Sequence, residues 1–380
     1  MKNRMELFEN APVWKAYFTI SLPVVFSMVV TLVYNMVDTF FVAGTQNASL
    51  VAGVSQCTPL FMLMLALGDI FGLGGSSLIS RLFGQKDDET ARNVSGFCFY
   101  AAIVCGLIVT VLMFAFQGPV LRVLGATSDT LKYASQYYFW IALGAPLIIL
   151  SLTPSNIIRT EGLAMQSMIA SVAGSILNIV LDPIFIFTLG MGAGGAALAT
   201  VLGYVLSDVL LVCYILRKSR HLTVSIRHAR VARKFVTSVF VIGIPASLTN
   251  LMQSYNIMVL NRHLISYGPK AVAAMGITMK VNMIIMMILV GFAFGAQPLI
   301  GYAYGAGNRS RLRAVIRFDL LVEVGFSAVA SVVVIVLAPQ LIGMFMNDAS
   351  VVSYGTGMLR WFTLTTPFCG IVLVLTTCFI

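Results

Sequence analysis

The sequence predicts an all-α integral membrane protein built as two six-helix lobes related by internal duplication. Three observations predict it. The first is the scarcity of charge: the 380 residues are 59% hydrophobic and only 10% charged, against about 25% charge in a soluble domain. No charged residue occurs from 94 to 121 or from 133 to 158, and only Asp182 and Asp208 interrupt 162–216. A bilayer crossing needs roughly 20 apolar residues, so ten spans fit, near 14–41, 50–80, 94–116, 133–158, 162–188, 195–216, 235–261, 271–304, 314–337 and 350–378. The period-2 alternation of a membrane barrel is absent.

The second observation is where the positive charge sits. With the N-terminus cytoplasmic, inner segments hold Lys2, Arg4, Lys15, Arg81, Lys86, Arg92, Arg159, seven residues between Arg217 and Lys234, and Arg309, Arg311, Arg313 and Arg317. Outer segments hold Arg122, Lys132, Arg262, Lys270 and Arg360. Eighteen against five of the 24 is the positive-inside bias. The net charge of +10 is therefore spread over short loops, which disfavours nucleic acid as a partner.

The third observation is a repeat at an offset near 221. YNMV at 34–37 answers YNIM at 255–258, VAGV at 51–54 answers VAAM at 272–275, and SSLISRLFGQK at 76–86 answers QPLIGYAYGAG at 297–307. Pro119 and Pro146 answer Pro339 and Pro367. Residues 1–216 form the predicted N-terminal lobe, 217–234 a basic cytoplasmic connector, and 235–380 the C-terminal lobe. At this offset Ile380 corresponds to Arg159. Twelve spans are thus expected in all, about ten are present, and the chain reads as truncated before the last two. Repeats of this kind are a plan of secondary transporters, with the site near the midplane between halves.

Taken in order, the spans differ in their polar residues, and an ionisable group at membrane depth is a functional candidate. The first span carries Tyr34, Asn35 and Asp38, with Tyr34 one turn before Asp38; an outward-snorkelling acid is the alternative for Asp38. The second places Asp69 in LGDIFGLGGSS, where glycines let helices approach closely. Glu161 follows Arg159 in a short inner loop, where a local ion pair is one reading. In the fifth span, LNIVLDPIFIF sets Asn178 and Asp182 four residues apart on one helix face, directly before Pro183. Proline cannot donate to the carbonyl four residues back, so a bend is expected there. A carboxylate, a carboxamide and a freed carbonyl suit a proton or a hard cation such as Na⁺, or a buried Asp that holds the kink. Asp208 lies toward the inner end of the sixth span.

The connector RKSRHLTVSIRHARVARK reads as a topology and lipid-headgroup segment. The seventh and eighth spans supply Gln253, Asn256, Met279 and Lys280 amid a methionine-rich stretch suited to varied apolar ligands. Lys280 needs an acid partner or a wet cavity. Asp319 and Glu323, near Arg317, are expected at the interface, which leaves every deep acid in the first half.

No GxxxxGK[ST] and no HExxH occurs, the three histidines lie in loops, and the six cysteines form no CxxC. No enzyme is predicted, and the N-terminus reads as no signal peptide.

Several stretches together resemble the multidrug and toxic compound extrusion (MATE) family, of the multidrug/oligosaccharidyl-lipid/polysaccharide flippase superfamily. They are VDTFFVAG, ALGDIFGLGGSSLISRLFGQKD, RTEGLAMQSM, LNIVLDPIFIF, GGAALATVLG and GIPASLTNLMQ. The resemblance implies a V of two lobes, alternating access, and export of cationic or amphipathic drugs in exchange for H⁺ or Na⁺. It implies a cation-coupling site at Asp38, Asn178, Asp182 and Thr200, with Glu161 as the matching loop acid and Pro183 as hinge. For Na⁺, the ligands would be Asp38, Asn178 and Asp182. The substrate cavity is expected at Tyr34, Asn35, Asp69, Gln253, Asn256, Met279 and Lys280. One branch of the family carries a Glu where this chain has Gln253, eight residues after Pro245, so a second-lobe cation site is not expected. The resemblance implies no cofactor beyond the coupling ion, membrane lipids as partners, a monomer, and a multi-pass protein of the bacterial inner membrane. The alternative functions are a lipid-linked saccharide flippase or polysaccharide exporter of the same superfamily, or a receptor or channel.

Overall fold

The computed structural model describes the backbone of residues 3–264, 267, 269–344 and 349–379; side chains are described except at 3–5, 249–251, 253–258, 261–262, 269–270, 272–273, 349 and 379. The helices are α1 (Asn3–Glu9), α2 (Val13–Gly44), α3 (Ala48–Gln56), α4 (Thr58–Gly84), α5 (Asp88–Ala115), α6 (Gln117–Val123) and α7 (Leu131–Arg159). They continue as α8 (Ala164–Pro183), α9 (Gly192–Lys218), α10 (Arg233–Leu264), α11 (Pro269–Gly305), α12 (Arg309–Gly343), α13 (Ala349–Leu364) and α14 (Thr366–Phe379). Among the described residues no strand is present, and nine segments are long and apolar enough to cross a membrane, with α3–α4 and α13–α14 each counting as one. Helix α10 occupies the predicted seventh span.

Side chains that supply acceptors set several of the helix starts. Asn47, Asp87 and Asn308 accept from the backbone N–H groups of Leu50, Thr90 and Arg311 at 3.1, 3.1 and 3.0 Å, and each such cap contributes about 1 kcal/mol. The Asn308 cap begins α12 five residues before the predicted span at 314.

Helix α7 is the central element of the first lobe, packed on α4, α5 and α9, while α8 packs on α2 and α9. In the second lobe α11 packs on α12, α13 and α14. The lobes meet through α2 on α11 and α4 on both α10 and α11. This seam is made of backbone. A Cβ on Gly84 would strike Tyr302 O and the Gly305 backbone, and a Cβ on Gly305 would strike the Arg81 backbone. Likewise, Gly74 lies on Val239 and Gly243 of α10, and Gly295 on Ser21 of α2. The 221-residue offset converts Gly84 into Gly305 and Arg81 into Tyr302, so each contact has its counterpart. A two-fold relation between repeats produces that reciprocity.

The 217–234 connector is pinned across one end of α5. Ser95 Oγ donates to Thr223 O (2.9 Å) and Tyr100 Oη to Val224 O (2.9 Å). Its seven Lys and Arg side chains remain exposed. Glu161 completes the anchor: its Oε1 accepts from Ser219 Oγ (2.8 Å) and from the His221 N–H (3.0 Å). The local ion pair between Glu161 and Arg159 is therefore not formed. Arg159 turns inward instead, donating to Ser167 Oγ, Asn156 Oδ1 and Ser155 Oγ at 3.1, 3.3 and 3.2 Å, and Asp69 is its electrostatic partner. Removing a charged acceptor of two bonds costs about 1–3 kcal/mol. Glu161→Ala is accordingly expected to loosen residues 217–222 and to speed limited tryptic cleavage there, while leaving the membrane spans protected.

Candidate functional site

The first lobe gathers its polar residues from four helices. Gly174 of α8 and Gly203 of α9 meet backbone to backbone, each Cβ position facing the other's carbonyl oxygen at 2.5 and 2.8 Å. That close crossing brings Asn178 to Thr200: Asn178 Nδ2 donates to Thr200 Oγ1 (3.4 Å), and Thr200 Oγ1 donates to Ala196 O (3.0 Å). One turn later on α8, Asp182 is fully buried and faces Asp38 of α2. The two carboxyls lie within hydrogen-bonding reach of one another. Ionised carboxylates only accept, so that contact requires a proton, or a cation, between them.

Without such a bridge the cluster is short of donors. Asp182 Oδ1 and Oδ2, Asp38 Oδ1 and Asn178 Oδ1 are all buried and find no hydrogen-bond partner. A buried polar oxygen without a partner costs about 1–3 kcal/mol. The donor set, two carboxyls and neutral amide and hydroxyl oxygens, is hard and suits H⁺ or Na⁺. Among the described residues no group of three or more His, Cys, Asp or Glu side chains has metal-binding geometry.

Tyrosines enclose the cluster. Tyr34 sits beside Thr200, Asp38, Tyr137 and Tyr204, and Tyr137 neighbours both Asp38 and Asp182. Tyr204 leads on to Asp208, which is buried and lacks a partner for either oxygen. Neither Tyr137 nor Tyr204 was singled out from sequence. The available signal was Thr200, Tyr204 and Asp208 at successive four-residue steps on one face of α9.

After Asp182 the chain changes geometry. Helix α8 ends at Pro183 and continues as a π-helical turn, Ile184–Thr188, in which Leu189 N–H donates to Ile184 O at 2.8 Å. Pro183 cannot serve the Ile179 carbonyl, and a π turn is the wider winding that follows.

Other predicted residues lie elsewhere. Glu161 precedes α8, about 30 Å along the helix axis from Asp182 at 1.5 Å per residue. Asp69 is half-buried beside Arg159. Asn35 and Lys280 are exposed and Met279 is half-buried; among the described residues no ion pair reaches Lys280. The side chains of Gln253 and Asn256 lie outside the described residues. The expectation that Asp319 and Glu323 are interfacial is overturned, since both are fully buried in α12. The cause is the early start of that helix: Asp319 sits ten residues inside it, whereas the neighbouring Arg317 is exposed.

The MatE family profile matches residues 23–184 and 245–380. Among curated proteins, the multidrug export protein MepA of Staphylococcus saprophyticus is 32% identical over 353 residues, covering 93% of this chain and 78% of that protein. MepA of Staphylococcus aureus strain N315 matches with the same identity and coverage. Among solved structures, a multidrug-resistance MATE transporter of the MOP superfamily in an outward-facing conformation superposes with TM-score 0.91 at 28% identity, over 99% of this chain and 84% of that one. A MOP-superfamily transporter from Pyrococcus furiosus superposes with TM-score 0.88 at 28% identity, over the same shares of both chains.

Proposed function

The chain belongs to the MatE family of multidrug efflux transporters, and from that premise we propose that it exports cationic or amphipathic drugs in exchange for H⁺ or Na⁺. The observation that carries this reading is the pair Asp38 and Asp182: two carboxyls in mutual contact at membrane depth, with three orphaned oxygens between them and another on Asn178. An ion bound there is neutralised or held by groups from α2, α8 and α9, so its arrival and departure act on the packing of three helices. The π turn after Pro183 continues one of them. The end of the bundle that carries α1 and the basic connector faces the cytoplasm in this reading, as the positive-inside bias favours.

A ligand shifts a conformational equilibrium only through its different affinity for the two states. Outward-facing, the Asp38/Asn178/Asp182 cluster takes the ion and the drug leaves; the lobes then rock, and the ion leaves inward. The test is ethidium efflux from proteoliposomes with a pH gradient or a Na⁺ gradient imposed separately. Efflux accelerated by one of the two gradients is expected and names the ion. Efflux indifferent to both, in correctly inserted protein, overturns the antiport reading.

A further inference from the structure

We propose that Asp319 and Glu323 form a second proton-binding site, at the junction of the two lobes, that is loaded when this junction is closed and emptied to water when α2 and α12 separate. The inference rests on the alternating-access reading above.

The two acids occupy one face of α12, four residues apart, and both are fully buried. Tyr17 of α2 reaches across from the first lobe and its phenol donates to Asp319 Oδ1 at 2.7 Å. Among the described residues that is the only side-chain donor to the pair: Asp319 Oδ2 and both Glu323 oxygens are buried with no side-chain partner, and the Ala293 backbone is the polar group nearest Glu323. Ser21, one turn further along α2 and also fully buried, places an unpartnered Oγ beside the Tyr17 phenol.

Among the described residues no counter-charge acts on either acid. From α2 the titratable neighbour is Tyr17, and from α14 it is Cys378. Helix α11 presents Phe292, whose ring lies 6.3 Å from that of Tyr17, and the Ala293 backbone beside Glu323. Phe318 closes the other side at 5.2 Å from the Tyr17 ring. Gly370 of α14 packs on the Glu323 backbone. Among the described residues no ion pair joins a Lys, Arg or His to either acid, and Arg317 on the same helix is exposed.

Two carboxylate charges side by side, behind aromatic rings and without a cation, are the costliest way to fill this space. A closed junction therefore holds the pair protonated. Separation of α2 from α12 breaks the Tyr17–Asp319 bond and admits water, where carboxyl groups ionise; the proton passes from the carboxyl to water, and Tyr17 keeps its own. By linkage, protons that prefer the closed form stabilise it, and opening releases them. The site lies in the half of the bundle that carries α1, whereas Asp38 and Asp182 lie near the opposite ends of α2 and α8. The molecule thus carries one acid pair toward each side of the membrane.

The test is a distance measurement that needs no transport. Nitroxides are attached through p-acetylphenylalanine at Gln85 and Arg313, exposed positions on the two lobes, which leaves the native cysteines in place. The spin–spin distance is followed from about pH 5 to about pH 9. Each linked proton is expected to change the open-to-closed ratio about tenfold per pH unit where it titrates. In the Asp182→Asn background, which silences the first-lobe pair, adding Asp319→Asn and Glu323→Gln is expected to remove the response and leave the protein closed, whereas Asp182→Asn alone and Tyr17→Phe, which keep both acids, retain a response. A distance in the unmodified protein that does not move with pH overturns the proposal, as does a response that survives in the triple variant or vanishes in Asp182→Asn alone. A response with this pattern, in protein whose efflux ignores both gradients, supports the site while rejecting the antiport reading.

Discussion

Asp182→Asn is expected to bring gradient-driven ethidium efflux down to the rate of protein-free vesicles while the protein still inserts and purifies as a folded species. Asparagine keeps the size and one acceptor oxygen of aspartate but cannot gain or lose a charge. Driving a two-state equilibrium from 1:99 to 99:1 takes about 5.5 kcal/mol of differential ion binding, and the variant has no carboxylate at Asp182 with which to supply it. Folding is expected to survive, because the asparagine amide can donate to Asp38 in place of the bridging proton and the Asn178–Thr200 contact is made one turn away. Asp182→Glu, which restores the carboxyl on a longer arm, is expected to recover part of the rate. Unchanged efflux in Asp182→Asn would sink the coupling role.

The second large effect is expected at the seam. In Gly305→Val the new side chain has no space to enter, since the obstacle is the Arg81 backbone and not the flexible end of a side chain. Overpacking of this kind costs about 1–3 kcal/mol, which is a shift of about 5- to 150-fold in the ratio of closed to open junction. The distance between probes at Gln85 and Arg313 is expected to lengthen, and Gly84→Val, its counterpart under the repeat, is expected to do the same. Gly276→Val serves as the control, because nothing lies within 4 Å of its Cβ position. A short distance in Gly305→Val equal to that of the control would show that the contact does not hold the junction closed.

The spans were legible because apolar runs need no partner to be recognised. Asn178 and Asp182 were legible for the opposite reason: they break such a run at a spacing that only a helix makes meaningful. Tyr137 and Tyr204 carry no charge and blend into an apolar span, so their place around Asp38 emerges only once α7 and α9 are packed. Asp319 and Glu323 were misplaced because four arginines between 309 and 317 suggested water, although a helix started by Asn308 carries Asp319 well beyond them. Glu161 stands next to Arg159 in the chain, yet the folded turn, with Gly162 at φ +75°, sends one side chain to the connector and the other into the lobe. The pairing of Gly84 with Gly305 was visible as a repeat. That the two residues touch was not, because a repeat reports equivalence and says nothing of contact.

The glycine seam also determines how rotation becomes displacement. Gly305 stands at the end of α11, a helix of 37 residues, or about 55 Å at 1.5 Å per residue. Where Gly84 and Gly305 press backbone on backbone there is no side chain to deform, so under the alternating-access proposal that contact would serve as a fulcrum and each long helix as a lever. A turn of about 10° there would carry the far end of such a lever through about 10 Å, enough to open or close a mouth to a drug-sized cation. Under the alternating-access proposal, the stroke would be set less by any hinge residue than by the ratio of arm lengths on either side of a row of missing methyl groups.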